Sequence, residues 1–141
     1  MRVDTDMYQK YKIDLQTARK VADAAQQEAD RNGWNVVIAI VDDGGHLMYL
    51  QREKAQLGSI DVAIKKAKAA VLFLRPTSIF ADRVNSGQSG YLEMPGIMPL
   101  EGGELLEFEG EIVGAIGVSG AKADEDGIVA RAGAAAMPGR T

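Results

Sequence analysis

Arg52, Glu53, Lys66 and His46 are the side chains with which this chain of 141 residues could handle a small acid. An arginine presents a planar fork that grips a carboxylate through two parallel hydrogen bonds. Lys66 would add a second positive charge, and Glu53 or His46 could move a proton, the usual work of carboxylates and imidazoles. Such a set suits lyase or isomerase chemistry on a small organic acid, aromatic acids included, in a catabolic enzyme or a binding protein that needs no organic cofactor. Each member also has a plain structural use. Arg52 can pair with Glu53 or Asp61, Lys66 can reach solvent, and His46, the single histidine, stands at a hairpin end where side chains are commonly exposed.

Other chemistries find little to work with. The chain has no cysteine, which removes disulfides and thiolate ligands, and one histidine cannot build a histidine-rich metal centre. Asp42, Asp43, Glu53 and Asp61 would make an oxygen-rich site only across subunits, and the first two sit where aspartate stabilises a turn. No metal is expected. Ser119, in Gly117-Val-Ser-Gly120, lacks the Gly-x-Ser-x-Gly spacing of a nucleophile elbow. The backbone N–H groups from Gly117 to Ala121 could instead hold a carboxylate.

These residues depend on elements that the pattern makes legible. Leu15, Ala18, Ala22, Ala25 and Ala29 recur at helical spacing between a capping Asp14 and a terminating Gly33. Strands 34–41 and 46–51 follow, joined by the Asp42-Asp-Gly-Gly45 turn. A second helix runs from a capping Ser59 until Arg75-Pro76 stops it, and a short helix starts at Thr77 or Ser78. The stretch 85–103 is glycine- and proline-rich yet carries Tyr91, Leu92, Met94, Ile97 and Met98, enough apolar surface to wall a pocket. Strands 104–108 and 112–118 form a second hairpin, and Asp124 caps an alanine-rich last helix. Gly114, Gly117 and Gly120 leave parts of that last strand bare, which calls for a close backbone contact or a cavity beside it. With no βαβ series, the order implies an α+β domain, residues 1–141, with an antiparallel sheet covered by helices.

The alanine surfaces bury little per residue, which favours self-association as an added source of burial. A net charge of −4 is a poor start for holding nucleic acid. No segment reaches the roughly 20 apolar residues that span a bilayer, and the polar start lacks the apolar run of a signal peptide, so a soluble cytoplasmic protein without a membrane partner is expected.

Several segments, in order, resemble the GlcG/HbpS-like small domains, also found at the carboxy terminus of some PduO-type proteins and often labelled haem-degrading. The resemblance covers residues 13–137. It rests on Val41-Asp-Asp-Gly-Gly-His-Leu47, Arg52, Ser59-Ile-Asp-Val-Ala63, Lys66-Ala67, Phe73, Pro95-Gly96, Pro99, Glu101-Gly-Gly103, and Glu111-Ile-Val-Gly-Ala-Ile-Gly-Val-Ser-Gly120 followed by Asp126 and Ala130. It implies a profilin- or PAS-like domain with a five-stranded antiparallel sheet, assembled into dimers or larger complexes such as octamers. It also implies haem binding in some members, which gives the alternative function of haem binding, sensing or storage. Tyr91, Met94, Met98 and His46 are then the axial candidates, with Gly117 and Ser119 beside a propionate. The chain departs from the family's Arg-Met-Asp-Gly-Ala pattern at Arg52-Glu-Lys-Ala55, and has Ala69 where threonine is common.

Overall fold

A computed structural model describes residues 6–139. Helix α1 (Leu15–Asn32) starts where the Asp14 carboxylate accepts the Thr17 N–H at 2.8 Å, and ends at Gly33, whose φ of +71° few other residues adopt. Strands β1 (Val37–Asp42) and β2 (Leu47–Gln51) form the first hairpin. Its turn is fixed by Asp42, whose Oδ1 accepts the N–H groups of Gly44 and His46 at 2.9 Å each.

Helix α2 (Ser59–Phe73) has Gly58 at its N-cap position and no side-chain cap, so Ser59 lies inside the first turn and is buried there. Gly58 already has helical dihedrals. Leu74 turns left-handed at φ +54° ahead of Pro76, and α3 (Thr77–Asn85) follows. The apolar stretch beyond it is not all loop, since Ser89–Glu93 winds into a short 3₁₀ helix. Strands β3 (Gly103–Phe108) and β4 (Glu111–Ser119) make the second hairpin, and α4 (Ala123–Ala134) closes the chain. Its N-cap position falls on Lys122, whose N–H donates to Glu125 at 3.1 Å, while Asp124 sits in the first turn.

The sheet is antiparallel throughout, in the order β2-β1-β4-β3. This α+β arrangement matches the reading of the sequence, but the described residues form four strands, not the five implied by resemblance. Alternation sorts the side chains onto two faces. Ile38, Ile40, Ile116, Val118 and Leu106 pack with α1 and α4, while Val37, Ala39, Val41 and Ala115 meet the alanines of α2.

Gly117 explains how α2 comes so close. A methyl group there would overlap the Ala63 carbonyl oxygen and lie 2.6 Å from the Ala67 nitrogen. The bare strand is therefore seated against the helix backbone. Among the described residues no helix is long and apolar enough to cross a membrane.

Candidate functional site

The sequence-derived candidates separate into several places. Lys66 lies on the sheet side of α2 and is 2% exposed. Its Nζ donates to the Val118 carbonyl at 2.9 Å and to Asp126 Oδ2 at 3.1 Å. The Val118 N–H still bonds Gly102 O at 2.9 Å, so the lysine satisfies a strand carbonyl that the departing chain has left behind. Asp126 Oδ1 accepts the Ala121 N–H at 2.9 Å, which locks the approach to α4.

Burial pushes the Lys66 ammonium below its ordinary range, against the pull of Asp126, and pushes the Asp126 carboxyl up, against the pull of Lys66. Gly102 leaves room for the pair, since a methyl group there would lie 2.9 Å from Lys66 Nζ. Asp126 enters the sequence reading only as part of a family pattern. Nothing local in the sequence marks it as the partner of Lys66.

Arg52 follows β2 and donates Nη1 to the Ala55 carbonyl at 3.2 Å and the Glu53 carbonyl at 3.5 Å. Among the described residues it has no acidic partner, and Glu53 beside it is exposed. His46 is on the β1–β2 turn with 83% of its side chain exposed and Nδ1 3.4 Å from Asp42 Oδ1. Arg52 and His46 share no bonded partner with Lys66. Gly117 is occupied by α2, and Ser119 is buried at the end of β4.

A denser constellation sits where α3 meets the 3₁₀ helix. Phe80, 1% exposed, stacks edge-on with Phe73 at 5.2 Å and tilts against Tyr91 at 5.9 Å. The Arg83 guanidinium lies 5.2 Å from the Tyr91 ring centre, and its Nη1 donates to the Tyr91 hydroxyl at 3.1 Å. Arg75 approaches the Phe80 ring at 5.8 Å. Tyr91 and Met94, with Gln88 and Gly90, line an open groove of about 380 Å³. Met98 faces a different groove, with Asp61, Val62, Ile64, Lys65 and Lys68.

Arg83 escapes the sequence reading because its contact with Tyr91 spans eight residues and depends on the turn after α3. Tyr91 and Met94 bring to this groove a phenol and a thioether, side-chain types that can ligate haem iron, and Arg83 sits against the Tyr91 hydroxyl.

The family described as haem degrading protein HbpS-like matches residues 13–135. The chain belongs to the HbpS-like family. It is 38% identical over 109 residues to Protein GlcG of Escherichia coli K12, covering 76% of this chain and 81% of that one. Its fold superposes on a double mutant of Streptomyces reticuli HbpS with a TM-score of 0.83, at 37% identity and with 94% and 91% of the two chains covered. The crystal structure of a PduOC:heme complex is similar at a TM-score of 0.81 and 27% identity, over 93% of this chain and 99% of that one.

Proposed function

We propose that this HbpS-like protein binds haem in the groove along the 3₁₀ helix, lined by Tyr91 and Met94. The observation that carries the reading is that Tyr91 and Met94 line one accessible groove while Arg83 donates to the Tyr91 hydroxyl. Tyr91 or Met94 would supply an iron ligand, the Tyr91 ring an apolar surface, and Arg83 or Arg75 a partner for a propionate. Bound haem would bring one-electron and dioxygen chemistry, and the chain would bind and orient it. The haem complex of a relative supports the reading.

The test is an absorbance titration with haem. Saturable one-to-one binding with a defined Soret band is expected, with the band shifted or the affinity lowered in Tyr91→Phe or Met94→Leu and weakened in Arg83→Ala. Broad spectra at excess stoichiometry, or a band indifferent to all three substitutions, overturn it.

A second reading, a small organic acid held for lyase or isomerase chemistry, is favoured by one observation. Arg52 bonds backbone carbonyls and no carboxylate among the described residues, so its guanidinium keeps capacity for an anion. Glu53 or His46 would then serve as proton carrier, while Lys66, committed to Asp126, would not take part. Thermal-shift screening of aromatic and hydroxy acids against wild type and Arg52→Ala separates this reading from haem binding.

A further inference from the structure

Between the lead-in to α1, the β3–β4 hairpin and the chain beyond α4 lies a cavity of about 150 Å³. Its walls reach the hydrophobic core, since Ile13, Val113 and Met137 line it and all three are buried members of the cluster that α1 and α4 form with the sheet. Tyr11 and Phe108 complete the lining, edge to face with ring centres 4.7 Å apart. Gly139, at φ +78°, lays the chain end so close to Phe108 that a methyl group there would fall 2.7 Å from the ring. The cavity shares no lining residue with the groove of Tyr91 and Met94.

The polar groups of the lining are engaged within the protein. Asp14 Oδ1 accepts the Thr17 N–H at 2.8 Å as the cap of α1, and Lys12 Nζ lies 3.7 Å from Asp43 and 4.0 Å from Asp42. A guest is therefore held by apolar contact. A carboxylate would give up its hydration to walls of carbon and meet the charge of Asp14.

We propose that this cavity binds a small uncharged aromatic molecule the size of a single ring. An apolar cavity of about 150 Å³ accepts a guest as large as benzene. Aromatic character follows from the walls, because the rings of Tyr11 and Phe108 offer edges and faces to another ring, and the Met137 thioether makes favourable contact with an aromatic edge. The site is separate from both the haem groove and Arg52, and it selects against the organic acids that Arg52 would hold.

The test is a titration of wild-type protein, followed through its side-chain methyl resonances, with toluene, methylcyclohexane and benzoate. Toluene should shift the Ile13, Val113 and Met137 methyls together and saturably, and should bind more tightly than methylcyclohexane. Benzoate should bind at least about ten-fold more weakly than toluene. Val113→Phe places a ring where the guest would sit and should abolish the shifts at Ile13 and Met137. Since that substitution could impair folding, the wild-type titration decides by itself. Toluene shifts that fail to saturate or fall outside these three side chains, methylcyclohexane or benzoate binding as tightly as toluene, or unchanged toluene binding in a folded Val113→Phe protein overturns the proposal.

Discussion

Lys66 and Asp126 meet 3.1 Å apart with side chains 2% and 3% exposed, tying α2 to α4 past the end of the sheet. A buried pair costs desolvation, but removing one partner strands the other charge, at about 3–5 kcal/mol. Asp126→Asn and Lys66→Met should each lower the unfolding free energy by amounts in that range. The double variant Lys66→Met with Asp126→Asn should lose less than the two single losses combined, because no charge is left unpaired and the asparagine oxygen can still accept the Ala121 N–H. Urea denaturation of the three variants tests this, and losses that simply add would show that the residues are not coupled.

Gly117 makes a different demand. Since any side chain there meets the backbone of α2 at Ala63 and Ala67, relief would require the helix to move. Gly117→Ala should already destabilise, and Gly117→Val should do so more, despite the strand preference of valine; overpacking typically costs about 1–3 kcal/mol and can exceed that where backbone is struck. The checks are melting temperature and soluble yield. A Gly117→Val protein that melts with wild type would refute the seating of α2 on β4.

What the sequence makes legible follows from range. Asp14, Gly33 and the alanine stripe of α1 are local signals with local partners, and both hairpins are readable from alternation and turn residues. The helix starts at Ser59 and Asp124 shift by a residue or two because cap positions depend on dihedrals that composition does not fix. Lys66 reads either as a pocket cation or as a solvated side chain until Asp126, 60 positions later, is brought beside it. The Gly114-to-Gly120 pattern correctly signals close contact. That α2 fills the space at Gly117 requires the packing itself.

Glu104 gives a signed pH dependence. Burial raises its carboxyl above the unfolded value, against the positive charge of Arg131 and with the help of Glu101. The folded state therefore holds this proton more tightly than the unfolded chain, so the contribution is present below the unfolded value and is lost as pH rises through the folded one. Glu104→Gln removes that titration. Relative to wild type, the variant should gain melting temperature as pH rises across this window, and a difference that is flat with pH would contradict the assignment.

Thr77 is fully buried at the start of α3, and its hydroxyl accepts the Gly103 N–H at the edge of β3. Valine has nearly the same shape but no acceptor, and an orphaned buried N–H costs about 1–3 kcal/mol. Thr77→Val should therefore destabilise by that amount, while Thr77→Ser, which keeps the oxygen, should lose less. Amide exchange at Gly103 distinguishes a lost hydrogen bond from a general packing defect. In Thr77→Val this amide should exchange faster than in Thr77→Ser at matched global stability, and equal protection in the two variants would show that another acceptor takes over.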